Sequence, residues 1–136
     1  MTEISRYSYD TGPGARGRLS SALSPDGVAT AFAYDALGRP ATTTWTMDGE
    51  SFALDQSYDI AGRPDVLRYP EVPGRARFLV KHLYNPHGYL STVAKDTTLP
   101  PTPYWTVKSR NLDGLLEQAE WAGGAVEQRG YHYHTG

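Results

Sequence analysis

The chain has 136 residues, a net charge of −2 and no cysteine, which leaves neither a disulfide framework nor a thiolate metal site. Near-neutral charge offers no electrostatic grip on nucleic acid or an anionic membrane. No apolar run approaches the roughly 18 residues of a membrane span, and Met1-Thr2-Glu3-Ile4-Ser5-Arg6 lacks the apolar segment of a signal peptide.

In chain order the first element is a phrase opened by Tyr9-Asp10 and stretched by Thr11-Gly12-Pro13-Gly14-Ala15-Arg16 before Gly17-Arg18-Leu19. Tyr34-Asp35-Ala36-Leu37-Gly38-Arg39-Pro40 gives the phrase uninterrupted, and Tyr58-Asp59-Ile60-Ala61-Gly62-Arg63-Pro64 nearly duplicates it. Tyr84-Asn85-Pro86-His87-Gly88-Tyr89-Leu90 and Arg110-Asn111-Leu112-Asp113-Gly114-Leu115-Leu116 are looser copies, and Tyr133-His134-Thr135-Gly136 opens a sixth. The steps between first residues are 25, 24, 26, 26 and 23. Such a period marks one supersecondary unit copied so that neighbours cover each other. Residues 1–136 therefore form a single repeat array, with copies beginning near Tyr9, Tyr34, Tyr58, Tyr84, Arg110 and Tyr133.

Each copy carries two turn signals. In Asp-x-x-Gly the carboxylate can accept from turn N–H groups and glycine can take φ > 0. A second signal follows at Asp26-Gly27, Asp48-Gly49, Pro73-Gly74 and Gly123-Gly124; in the fourth copy a proline-rich loop from Asp96 to Pro103 replaces it. Two turns per copy imply two strands of roughly six to nine residues each. The expected fold is all-β: an antiparallel meander of stacked β-hairpins. Counting in twos places Val28, Phe52, Phe78 and Tyr104 in one column, Tyr7, Phe32, His82 and Tyr131 in another, and Ser24, Trp45, Tyr69, Lys95 and Trp121 in a third. Leu, Ile, Val and Phe supply only 24 residues, so ten tyrosines and three tryptophans must carry much of the burial. Leu112–Ala122 is the one stretch compatible with helix, and its aromatic register fits strand better.

The phrase resembles the YD repeat of the RHS family, Tyr-x-Tyr-Asp-x-x-Gly-Arg-Leu with an Asp-Gly turn between copies. Tyr7-x-Tyr9-Asp10, Phe32-x-Tyr34-Asp35 with Gly38-Arg39, and Tyr58-Asp59 with Gly62-Arg63 carry the resemblance. That family includes bacterial RHS toxins, the B and C components of insecticidal Tc toxins, and teneurins. The resemblance implies a curved strip of a larger hollow shell, built with flanking YD repeats and enclosing a toxin or other cargo. It also implies secretion or cell-surface display as part of a bacterial toxin. Asn85 and Asn111 at the acidic position, with Tyr89 and Leu115 at the arginine position, are expected to weaken their turns. His134 replaces the acid in the last copy. The self-cleaving acidic segment found in many such shells has no counterpart here.

The signature residues Tyr9, Asp10, Gly17, Arg18, Tyr34, Asp35, Gly38, Arg39, Tyr58, Asp59, Gly62, Arg63, Tyr84, Asn85, Gly88, Asn111, Gly114, Tyr133 and Gly136 read as structural, because residues recurring once per copy serve the copy. The acids should cap turns and the arginines pair with neighbouring acids. No catalytic residue and no cofactor is expected. The serines form no Gly-x-Ser-x-Gly elbow, and Gly12-Pro13-Gly14 opens no phosphate loop. His132 and His134, with only Glu127 near, fall short of a tetrahedral metal set. His82 reads as a strand residue and His87 as a turn residue. The rival reading is a binding module of a surface protein in which Trp45, Tyr69 and Trp121 form a carbohydrate platform. An open sheet edge would further permit edge-to-edge self-association.

Overall fold

The computed structural model describes residues 4–95 and 97–132. It is all-β: eleven antiparallel strands and no helix among the described residues, with Leu116–Trp121 as strand inside the one ambiguous stretch. Among the described residues no helix is long and apolar enough to cross a membrane. The chain divides into two compact units, Met1–Phe78 and Leu79–Gly136.

In the first unit β1 (Arg6–Tyr9), β2 (Leu19–Leu23), β3 (Ala29–Tyr34), β4 (Pro40–Met47), β5 (Glu50–Tyr58) and β6 (Pro64–Arg68) lie side by side in chain order. In the second, β7 (Leu79–Tyr84), β8 (Leu90–Ala94), β9 (Pro103–Arg110), β10 (Leu116–Trp121) and β11 (Val126–Gln128) do the same. Several strands are shorter than the expected six to nine residues: β2, β6 and β8 have five each. They are short because three-residue loops, with their bulges, consume the strand ends. The ladder shifts register at Tyr9, Tyr34, Tyr58 and Tyr84, each time beside the phrase turn. Asp48 and Gly49 instead form a two-residue loop with φ of 50° and 80°, the double positive φ that a tight hairpin turn demands.

Side chains alternate between faces along each strand, so register sorts them into rows. In the first unit one face carries the row Tyr7, Ala22, Thr30, Trp45, Phe52 and beside it Phe32, Thr43, Leu54. The other carries Ser8, Ser21, Ala31, Thr44, Ala53, flanked by Ala33, Thr42, Asp55, Arg68. One face is thus aromatic and the other small or polar. Only Ala15, Ser20, Val66, Ala94 and Ala119 are buried among the described residues, so no large side chain has a closed core around it. The rings are half-covered by their cross-strand neighbours, the kind of contact that contributes roughly 0.2–1 kcal/mol per pair.

One column is displaced. Trp105 stands across from both Trp121 and Val93, and Tyr104 falls outside the alternation. The cause is irregular register on both flanks of β9: between Val93 and Ala94 the partner steps from Trp105 to Pro103, leaving Tyr104 as an extra residue, and a further shift intervenes near Gln118. A bulge of this kind re-aims the strand, and counting in twos cannot see it.

Candidate functional site

Every complete phrase folds into the same three-residue loop. The Asp35 N–H donates to the Arg39 carbonyl at 2.9 Å and the Gly38 N–H to the Asp35 carbonyl at 2.8 Å, and Asp59 with Arg63, Asn85 with Tyr89 and Asn111 with Leu115 repeat the closure at 2.9–3.0 Å. Gly38 has φ 74°, a left-handed value that a side chain would resist. In the stretched first copy Asp10 itself takes φ 61°, its N–H donates to the Arg18 carbonyl, and its Oδ1 accepts from the Gly17 N–H.

The acid or amide side chain holds the loop from inside. Asp35 Oδ1 accepts from the N–H groups of Leu37 and Arg39, and Asn85 Oδ1 accepts from His87 and Tyr89; Asn111 Oδ1 does so from Asp113 and Leu115. The second carboxylate oxygen has another task. Asp35 Oδ2 pairs with Arg39 Nε at 2.7 Å, and Asp59 Oδ2 with Arg63 at 2.7 Å. Where arginine gives way to Tyr89 or Leu115, aspartate gives way to asparagine, which keeps the loop bonds and leaves no carboxylate unpaired. The amide copies thus keep the side-chain bonds that hold the loop and lack only the ion pair. The backbone N–H of Arg39 is the main reason that the Asp35 carboxyl sits below its ordinary range, with the Arg39 side chain adding to it; the Arg63 side chain does the same for Asp59.

Within each unit a second set of contacts joins a phrase to the one before. The Tyr34 hydroxyl donates to the Leu19 carbonyl at 2.6 Å and the Tyr58 hydroxyl to the Pro40 carbonyl at 2.8 Å, in both cases the residue just after the preceding Gly-Arg. Tyr131 makes the same bond to Leu116 at 2.7 Å. Arg110, at the tyrosine position of its copy, donates from its guanidinium to the Leu90 carbonyl at 2.8 Å and to the Gly114 carbonyl at 2.9 Å. Over two of these rings lies the previous phrase's arginine: Arg18 is 5.6 Å from the Tyr34 ring centre and Arg39 is 4.1 Å from that of Tyr58. In the second unit the partners are exchanged, with Arg110 lying 5.1 Å from the ring of Tyr89. A cation and a ring attract whichever of the two strands supplies each.

The phrase glycine makes room for this stack. A Cβ at Gly38 would lie 2.6 Å from the Arg18 guanidinium, and one at Gly114 would lie 2.7 Å from the Tyr89 hydroxyl. Tyr89 thus occupies in its copy the place that Arg18 occupies in the first. Arg18 does not pair with an acid; it donates to the carbonyls of Gly14 and Arg16. Tyr9 is 58% exposed. Tyr84 ends β7 across from Leu90. Tyr133, His134 and Gly136 lie outside the described residues.

Each of the three platform residues has its own surroundings. Trp45 is half-buried between Thr30 and Phe52, while Tyr69 packs its ring on Phe78 with centres 5.2 Å apart and planes tilted by 50°. Trp121 is 49% exposed and lines an open groove of about 420 Å³ with Tyr104, Thr106, Lys108 and Glu120. His87 is exposed in its loop, His132 is exposed, and His82 faces Val93. No group of three or more metal-capable side chains occurs among the described residues.

Sequence reasoning missed one clasp. Arg77 pairs with Asp55 at 2.6 Å and donates to the carbonyls of Ala53 at 2.8 Å and Tyr69 at 2.5 Å, while Thr42 donates to Asp55 at 2.8 Å. Burial works against the ionised Asp55, yet the bonds from Thr42 and Arg77 hold its carboxyl below the ordinary range. The available signal was an acid and a threonine on the small-residue face, which need a cation nearby.

The sequence model of the RHS Repeat family matches residues 15–46, the stretch from Ala15 through β2, β3 and the uninterrupted Tyr34–Pro40 phrase into β4. No curated protein matches the chain closely enough to be counted a relative.

Proposed function

From the match of residues 15–46 to the RHS Repeat family we propose that this chain is a segment of wall in a hollow β-shell that encloses a toxin or other polypeptide cargo. The observation that carries this reading is the division of faces in the first unit. Ser8, Ser21, Ala31, Thr44 and Ala53 make one surface small and polar, while aromatic side chains gather on the opposite one. A wall must hold its own strands together without gripping what it contains. Small side chains offer an enclosed chain little apolar area, and the hydrophobic effect scales with that area.

The inter-phrase contacts support the same role. Tyr34, Tyr58, Arg110 and Tyr131 each bond to the backbone of the phrase before, so the array is extended by adding copies, as nearest-neighbour repeats are. On this reading the partners are flanking repeats and the enclosed chain, and the residues that recur have structural work.

The test is to express the full polypeptide that contains these repeats and image it by electron microscopy alongside limited proteolysis. A hollow particle whose contents resist protease until the repeats are cut is the expected result. A filled globule, or contents digested as quickly as a free chain, overturns the proposal.

A further inference from the structure

Between β6 and the end of the first unit the chain makes a long exposed loop. Residues 71–76 are exposed in unbroken succession and belong to no strand. The loop closes through the Tyr69 N–H on the Phe78 carbonyl at 3.0 Å, with the two rings packed together. Inside it Pro73-Gly74 forms a turn, the Arg75 N–H donating to the Val72 carbonyl at 3.1 Å. The Arg75 side chain has no hydrogen-bond or ion-pair partner among the described residues. Arg77, two residues on, is the opposite: Asp55 and the carbonyls of Ala53, Arg68 and Tyr69 hold its guanidinium. An unheld arginine thus stands beside a firmly held one, at a surface loop of the kind where proteolytic nicking concentrates.

We propose that this loop is a processing site for an arginine-directed serine protease, cut between Arg75 and Ala76, with the Arg77 clasp setting how readily it opens. Such an enzyme seats an arginine on an acid at the base of its specificity pocket. Gly74 and Ala76 are small, so nothing bulky crowds the bond from either side. The protease serine attacks the Arg75 carbonyl and the C–N bond to Ala76 breaks. Water then releases the acyl half, leaving a carboxylate on Arg75 and an amine on Ala76. Competing bonds are less available. Arg39 and Arg63 precede prolines, whose fixed φ and missing N–H spoil the extended fit. Arg16 follows the buried Ala15, whose carbonyl holds the Arg18 N–H at 2.8 Å. A protease cleft takes several residues in extended form, so the stretch after the bond must lift off the clasp. Cutting then tracks the fraction of chains with Arg77 released. Once the bond is cut, Arg77 can return to Asp55 and Ala53 and keep the two pieces together. This inference is independent of the wall proposal, because it concerns one loop of the first unit.

The native chain is treated with trace trypsin and followed by intact-mass spectrometry. The expected first products are 1–75 and 76–136, which elute together on size exclusion and separate in urea. Arg75→Gln should remove this cut. Asp55→Asn, which takes the carboxylate from Arg77 and leaves its carbonyl partners, should speed the cut about tenfold, the worth of one bond to a charged group. Asp48→Asn, in the turn between β4 and β5, should leave the rate unchanged. A first cut at another bond, a chain that resists, or an Asp55→Asn rate equal to wild type would overturn the site, as would pieces that part without urea. Asp55→Asn opening bonds throughout the unit at once would also overturn it, because the clasp would then support the fold and not the loop.

Discussion

At the scale of single residues, the pairing of acid with arginine and amide with its absence explains which substitutions the phrase tolerates. Asp35→Asn keeps the two bonds to the Leu37 and Arg39 N–H groups and gives up only the contact with Arg39 Nε, whereas Asp35→Ala gives up all three. Urea titration should therefore rank the alanine variant clearly below the asparagine variant, with the wild type highest; equal midpoints for the two variants would contradict the account. The same residues set a pH dependence. Asp35 and Asp59 are depressed in the folded chain, so the unfolded chain takes up protons first as pH falls. Their contribution is complete above the unfolded value of about 3.9 and is lost as pH drops through the folded value. The Asp35→Asn/Asp59→Asn chain should start lower at pH 7 and show a flatter acid limb by circular dichroism. Glycine has a further duty beyond its φ. Gly38→Ala would meet the Arg18 guanidinium and should push it off Tyr34, so that variant is expected to lose more stability than the equally left-handed Gly49→Ala, where nothing lies within 4 Å of the added carbon.

At the scale of elements, the exchanged pair in the second unit makes a sharper test. Tyr89 and Arg110 occupy each other's expected positions and still bring a cation to a ring. Replacing either alone, Tyr89→Arg or Arg110→Tyr, sets like against like, while the double exchange recreates the order seen at Arg39 and Tyr58. A double-mutant cycle should return a favourable coupling on the order of 0.5–1 kcal/mol, the scale of exposed cation–π pairs. Additive single effects would mean that the stack is incidental. These cases also mark what could be read from sequence. The loops were legible because Asp-x-x-Gly states its own geometry within four residues, and the tight turn at Asp48-Gly49 was legible in the same way. The displacement of Tyr104 was not legible, because a bulge is a property of two paired strands and neither strand alone announces it. The tyrosine-to-carbonyl bonds were hidden for a related reason: their acceptors are backbone atoms, which carry no sequence signal. Arg110 looked like a lapse because only the structure shows that its guanidinium reaches the carbonyl a phenol would reach.

At the scale of the whole molecule, the absence of any large, fully buried side chain among the described residues shifts stability onto the pairing of strands. Strands at an open edge then become the weak points. β1 pairs only with β2 among the described strands, and its four residues are all exposed, with Tyr7 and Tyr9 at 60% and 58%. Its free side presents backbone N–H and C=O groups beside two rings, which is a template for another strand. The purified chain should therefore associate in a concentration-dependent way with no loss of β signal, measurable by sedimentation velocity. Ser8→Lys places a charge in the middle of that edge, on the small-residue face where Ser21 is its only cross-strand neighbour. A lysine there costs the folded unit little but must be desolvated when a second strand docks, so it should shift the association to higher concentration. A chain that stays monomeric throughout, or a Ser8→Lys variant that associates as readily as the wild type, would show that this edge is already protected and that its exposed backbone is not the adhesive surface.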